Sequence, residues 1–399
     1  MIQSLIALPR SVWLIGLISL LNDSASEMIY PLVPLFLASV LMAGPHALGV
    51  IEGIAEATAS LLKLFSGVIV DRTRRAKPWV VAGYALAGFA RPLIAFATSW
   101  LGVLVLRFAD RVGKGLRTSP RDALLAGSVE PNVRGLAFGL HRAMDNAGAV
   151  VGPLLAALLL GLGWSLHDVI LSAIVPAVLC LLLALTLCEP RHDGPHPAKP
   201  PFSWRMNDLP PAFKRYLLVL ALFTLGNSSN MFLLLRAREL GLPEAQVPLA
   251  WAAVSFVAML FSTPLSALSD RVGRMRLIVV GWLAYGLFYL GLGLMPPGTP
   301  LMLFSLFAFY GVFMAATEGV EKALVADLAP KTLLGTAYGW FNLTAGILLL
   351  PASLIFGELY QQAGALSAFA FSTACALSAA MLLPLWALRG AHSNSTTKE

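Results

Sequence analysis

ALLAGSVEPNVRGLAFG, residues 123–139, is answered roughly 200 positions later by ALVADLAPKTLLGTAYG, residues 323–339. Two further pairs keep the same order along the chain. LLNDSA near Asn22 faces LGNSSN near Asn227, and VDRTRR at Asp71 faces SDRVGR at Asp270. One such coincidence would carry little weight. Three in the same order, on corresponding parts of each half, point to duplication of a single unit.

The unit is a set of six apolar runs, each long enough to cross a bilayer core of about 30 Å. In the first half they lie near residues 11–41, 48–70, 78–98, 100–128, 134–161 and 166–188. In the second they lie near 213–239, 245–268, 275–294, 300–327, 332–361 and 364–388. The fold expected is therefore an all-α integral membrane protein of about twelve transmembrane helices in two pseudo-symmetric six-helix bundles, residues 1–188 and 213–388. A polar stretch rich in proline, glycine and charge, residues 189–212, reads as a linker, and residues 389–399 as a tail.

Composition agrees. At 58% hydrophobic, 12% charged and a mean hydropathy of +0.77, the chain would expose large apolar patches in water, so its medium is lipid. Cys180, Cys188 and Cys375 all fall in apolar runs without metal or redox spacing and read as packing residues. The net charge of +7 comes from short loops with no aromatic-interleaved patch, which excludes nucleic acid and leaves topology as its cause. Arg72, Arg74, Arg75 and Lys77 follow helix 2; Arg271, Arg274 and Arg276 follow helix 8; the linker adds Arg191, Lys199 and Arg205. Loops near 42–47, 162–165 and 295–300 have no Lys or Arg. Basic loops stay in the cytoplasm, so both termini are expected there, in what reads as a bacterial inner membrane. The first run lacks a cleavage site and is expected to remain as helix 1.

Over essentially its whole length the chain resembles the major facilitator superfamily. The family's loop signature, Gly-x-x-x-Asp-Arg-x-Gly-Arg-Arg, is matched by Gly67, Asp71, Arg72, Arg74 and Arg75, without the internal glycine. The second copy keeps Asp270, Arg271, Gly273 and Arg274, with Ser266 in place of the leading glycine. A carboxylate at a helix end beside basic groups suits a gate that locks in one state and releases in another; the same charges also serve topology. In helix 5, Gly139, Gly148, Gly152 and Pro153 have the spacing the family associates with antiporters, although Ala156 and Ala157 replace its final glycine pair. Close helix packing explains the same residues. The resemblance implies two bundles of inverted three-helix repeats around a midplane site reached alternately from each side.

Helix 4, LGVLVLRFADRVGKGLRTSPRDALLAGS (101–128), is interrupted by charge. Each Arg, Lys or Asp near the bilayer centre costs about 3 kcal/mol on an insertion scale. Arg107, Asp110, Lys114, Arg117 and Arg121 recur every three or four residues, forming one stripe that must face protein or water. Asp110 and Asp122 neutralise neighbouring arginines on one reading; on the other the stripe lines a path. On helices 1, 2, 4 and 5 the basic set Lys63, Arg107, Arg111, Lys114, Arg117, Arg121 and Arg142 balances the acidic set Asp23, Glu27, Glu52, Glu56, Asp110, Asp122 and Asp145. No anionic substrate follows from the arginines alone.

A proton carrier needs a carboxylate that can become neutral, and an adjacent arginine opposes that. Asp23 and Glu27 on helix 1 are the first candidates, followed by Glu56 and Asp145, with Glu318 and Glu321 in the second half. Arg117 and Arg121 suit planar anions; Lys114, Asp110, Arg142, Asn22, Asn227 and Asn342 complete the candidate path. His141 and Asp145, one turn apart, read better as a helix contact than as a metal pair, and Trp340 and Phe341 better as packing than as a stacking surface. No metal, cofactor or nucleotide-binding loop is expected, and no enzyme constellation is present. The expected function is a monomeric secondary transporter of a small solute, not driven by ATP, coupled to protons and directed outward. Import of an organic anion, or a non-transporting receptor on the same fold, remains open.

Overall fold

The computed structural model describes residues 8–73, 75–129, 134–189, 206–330 and 333–387. Among these the chain is helical, without strands. Helix α1 runs over Arg10–Ile29 and continues as Leu32–Ser39; α2 is Pro45–Thr73, α3 Lys77–Leu93, α4 Trp100–Gly127 and α5 Arg134–Gly161. Helix α6 comprises Leu166–Ser172 and Ile174–Leu185. In the second half α7 comprises Pro211–Gly226 and Met231–Glu239, followed by α8 Val247–Val272, α9 Arg274–Leu294, α10 Pro300–Leu328, α11 Leu334–Ala363 and α12 Ala365–Leu382.

Ten of these spans are both long and apolar enough to cross a membrane. The other two, α2 and α4, have 29 and 28 residues, enough length at 1.5 Å per residue. Their charges are what lower their hydropathy. Most of the linker, residues 190–205, and the tail from residue 388 lie outside the described residues.

The sequence expectation of unbroken runs differs from the structure in the first, sixth and seventh, the sixth only at the single residue Ala173. In α1 the turn falls at Tyr30 and Pro31, where proline has no N–H to donate. In α7 the helix stops as Asn227 leaves helical geometry (φ −94°, ψ 77°) and resumes at Met231. The intervening Asn-Ser-Ser-Asn competes for backbone hydrogen bonds with its own side chains; Ser229 Oγ accepts from the Met231 N–H at 3.3 Å. Gly273, at φ 99°, makes the one-residue corner between α8 and α9, a conformation that favours glycine.

Packing repeats between halves. Helix α1 lies against α5 and α6, α4 against α2 and α3, and α3 against α6. Likewise α7 lies against α11 and α12, α10 against α8 and α9, and α9 against α12. The halves meet along α2 with α11 and α5 with α8, themselves corresponding pairs. Hydrogen bonds crossing this seam include His46 Nδ1 with Glu358 Oε2 (2.7 Å), Ser229 Oγ to Glu52 Oε2 (3.2 Å) and Trp251 Nε1 to Glu27 Oε2 (2.9 Å). These contacts belong to the half of the bundle away from the basic loops.

Small residues set the approach of α5 to α1. A methyl group on Gly152 would sit 2.5 Å from the Ser24 carbonyl oxygen and 2.7 Å from the Met28 nitrogen; on Gly161 it would meet nothing within 4 Å. Gly152→Ala is therefore expected to destabilise by about 1–3 kcal/mol through overpacking, read as a lower unfolding temperature in detergent, whereas Gly161→Ala leaves it unchanged.

Candidate functional site

Asp110, on the inward stripe of α4, has no solvent exposure. Its Oδ1 accepts from Arg91 Nε of α3 at 2.7 Å, and its Oδ2 lies 3.3 Å from Arg107 Nη1 and 3.4 Å from Arg111 Nη1. Arg107 also holds Glu52 of α2 through Nη2 at 2.6 Å and Nε at 3.0 Å. Arg111 Nε is 2.9 Å from Glu56 Oε1. Three arginines and three carboxylates thus close into a neutral cluster joining α2, α3 and α4. From Arg91, Nη1 extends the cluster to α1 by donating to Asn22 Oδ1 (3.0 Å) and the Asn22 carbonyl (3.2 Å).

The remaining charges of the first half surround the cluster toward the basic loops. Arg117 is buried against Tyr84, its guanidinium carbon 4.8 Å from the ring centroid, in a cation–π contact. Its Nη1 has no hydrogen-bond partner among the described residues. Arg121 binds Asp122 (3.0 Å) and donates to Ser19 Oγ at 3.3 Å. Ser19 Oγ also shares a 2.8 Å hydrogen bond with His141 Nε2, whose Nδ1 is 3.7 Å from Asp145. His141 and Asp145 therefore join α5 to α1, as a helix contact.

Asp23, Glu27, Glu56, Lys63, Lys114 and Asp145 are all half-buried. Asp23 lies close enough to Asp145, Arg117, Arg121 and Lys114 to feel their charge, and Glu27 to Asp23 and Lys114. Lys63 similarly faces Lys322 of the second half. Candidates read from four helices thus converge on one region between α1, α2, α4 and α5. Asp23 Oδ1 accepts from Asn22 Nδ2 at 2.7 Å, and Glu27 accepts only the indole N–H of Trp251 among the bonds described above.

Other candidates are dispersed. Arg142 and Asn342 are exposed, and Asn227 is half-buried at the break in α7. Glu321 accepts from Trp282 Nε1 at 3.0 Å, and that indole stacks on Phe223 with centroids 4.6 Å apart. Phe341 is buried in the second half's core. The Glu318 side chain lies outside the described residues. So do the side chains of Asp71, Arg72 and Asp270, and all of Arg74, while Gly67 and Gly139 are described only as helical backbone. Arg75 and Arg271 are exposed, and Arg274 pairs with Asp327, tying the start of α9 to the end of α10. Gly148, like Gly152, packs against α1, its added methyl falling 2.5 Å from the Leu20 carbonyl oxygen.

Arg91 is the residue the sequence reading missed. It is 2% exposed and lies in a run counted as apolar. Including it leaves the interior positions with one positive charge in excess of the acidic set. Its only signal was its presence, since an arginine inside an apolar span demands a partner.

Comparison with known proteins gives the arrangement a family. The model described as Major Facilitator Superfamily matches residues 13–236 and 216–399. An uncharacterised MFS-type transporter of Methanocaldococcus jannaschii is 35% identical over 383 residues, covering 94% of each chain. Multidrug resistance protein MdtH of Salmonella newport is 27% identical over 337 residues, covering 80% of this chain and 79% of that one. Among solved structures, a POT family transporter in complex with a thioalcohol-conjugated peptide superposes with a TM-score of 0.78 at 12% identity, over 95% of this chain and 98% of that chain. This multi-pass membrane protein belongs to the major facilitator superfamily of transporters.

Proposed function

We propose that this protein is a monomeric, proton-coupled secondary transporter that exports a small solute by alternating access across a bacterial inner membrane, with both termini in the cytoplasm. The observation that carries the proton reading is the contrast between two sets of carboxylates. Asp110 and Glu52 are enclosed and held by arginines, at 2.7 and 2.6 Å. An arginine at such a distance opposes the loss of a carboxylate's charge. Asp23 and Glu27 stand four residues apart on α1, half-buried, with neutral hydrogen-bond donors, Asn22 and Trp251. They are the pair able to exchange protons as access alternates.

The outward direction rests on likeness to the multidrug resistance protein and on the Gly148, Gly152 and Pro153 spacing. Lys114, Arg117 and Arg121 beside Asp23 supply the polar contacts for a solute. The Nη1 of Arg117, without a hydrogen-bond partner among the described residues, favours, as a second reading, an organic anion moved inward with protons.

The test is solute flux in proteoliposomes with an imposed pH gradient, over a panel of drug-like cations, neutral compounds and organic anions. Accumulation driven by an acid lumen is expected, and Asp23→Asn or Glu27→Gln should lose it. Accumulation of an anion driven by an alkaline lumen would favour the importer instead. Flux indifferent to the gradient would remove proton coupling, and no flux of any solute would favour a receptor.

Asp110→Asn should behave differently. Removing the carboxylate leaves three buried arginines short of a partner, a loss of about 3–5 kcal/mol for a broken buried pair. The expected result is reduced folded yield and a lower unfolding temperature.

A further inference from the structure

A line of hydrogen-bonded side chains connects the second half of the molecule to Asp23. Ser229 Oγ, in the break of α7, donates to Glu52 Oε2 at 3.2 Å. Glu52 Oε1 accepts from Arg107 Nη2 at 2.6 Å, and Arg107 Nη1 donates to Asp110 Oδ2 at 3.3 Å. Asp110 Oδ1 accepts from Arg91 Nε at 2.7 Å, Arg91 Nη1 donates to Asn22 Oδ1 at 3.0 Å, and Asn22 Nδ2 donates to Asp23 Oδ1 at 2.7 Å. From Ser229 to Asn22 every member is buried. The amide of Asn22 has one possible orientation, because Arg91 only donates and a charged carboxylate only accepts. The ends of the line are LLNDSA and LGNSSN, the pair related by the internal repeat.

We infer that Asn22 and Arg91 are positioning residues through which the charge on Asp23 sets the strength of the Glu52–Ser229 contact between the halves. The inference rests on the reading of Asp23 as a proton carrier. Charged Asp23 polarises the Asn22 amide and strengthens its hold on Arg91, since linked hydrogen bonds reinforce one another. Neutral Asp23 releases that hold. Arg91 then gives more of its charge to Asp110, Arg107 turns more fully to Glu52, and Glu52 needs the Ser229 hydroxyl less. Protonation thus loosens the seam. The groups facing Asp23 are Glu27 on its own helix, Lys114, Arg117 and Arg121 on α4, His141 and Asp145 on α5 and Cys180 on α6. They fix the pH at which Asp23 changes charge. The Asn22–Arg91 link fixes whether Ser229 responds.

The test measures a distance across the seam by pulsed electron paramagnetic resonance on the full chain, without solute, as pH is varied. Spin labels are attached at Val40→Cys and Leu301→Cys, which are 53% and 81% exposed, in a Cys188→Ser background. The distance is expected to lengthen as pH falls. Asp23→Asn should hold it at the low-pH value throughout, and Asn22→Ala should lose the pH response. Ser229→Ala, which removes one hydroxyl and no charge, should lose it too and serves if Asn22→Ala does not fold. A pH response retained in Asn22→Ala or Ser229→Ala, beside a locked Asp23→Asn, overturns the relay and leaves the proton reading intact. A distance that ignores pH, or still follows it in Asp23→Asn, removes Asp23 as the carrier and the relay with it.

Discussion

A charge placed in hydrocarbon has to be neutralised by its neighbours, and much of this structure follows from how that is done around Asp110. Arg91, Arg107 and Arg111 reach it from two helices, and Glu52 and Glu56 balance the arginines from a third. The requirement fixes which side of α4 faces inward. On its other side Leu101, Val105 and Phe108 are exposed, as an apolar surface toward lipid would be. The same requirement fixes the neighbours of α4, because only helices bringing opposite charge can lie against its stripe. The two spans of lowest hydropathy, α2 and α4, accordingly pack on each other.

The second half repeats the helix packing with different chemistry. At the 200-residue offset of residues 123–139 and 323–339, Arg107 and Asp110 correspond to Phe307 and Tyr310. Phe307 meets Phe288 edge to face at 6.1 Å, and Tyr310 stacks on Phe288 at 4.4 Å, with Tyr285, Tyr289 and Phe313 around them. Aromatic edges and faces fill the space that ion pairs occupy in the first half. No proton in the physiological range changes such a stack. A cluster of arginines and carboxylates is sensitive to any change of charge beside it, so at these corresponding positions the two halves share a frame and differ in chemistry.

The spans, the repeat and the charged stripe were legible in the sequence because lipid leaves so few solutions: a long apolar run crosses, and a periodic charge turns inward. The contact made by His141 was legible for the same reason, since a lone imidazole and carboxylate one turn apart need a neighbour more than a metal. What the sequence did not reveal was pairing between helices. Nothing in residues 78–98 says that Arg91 binds Asp110 rather than another carboxylate, and nothing near Glu52 names Arg107 or Ser229. Those choices depend on how helices are rotated and shifted against each other. The break at residues 227–230 was hidden likewise, because its polar residues sit between two stretches apolar enough to read as one span.

Two of the hydrogen bonds that cross the seam are related by the same repeat. Glu52 on α2 and Trp251 on α8 are 199 residues apart, the separation of Asp71 and Asp270 in the loops that end these helices. Glu52 accepts from Ser229 of the opposite half, and Trp251 donates to Glu27 of the opposite half. In both cases the carboxylate belongs to the first half and the donor to the second. A motion that parts the halves here takes a donor from two carboxylates at once, each loss roughly 1.5–3 kcal/mol for a bond to a charged group. Glu52 keeps Arg107 and stays satisfied. Among the described residues Glu27 has no arginine bound to it, so when the indole leaves, its oxygen depends on water for a donor, and the two carboxylates answer the same motion differently.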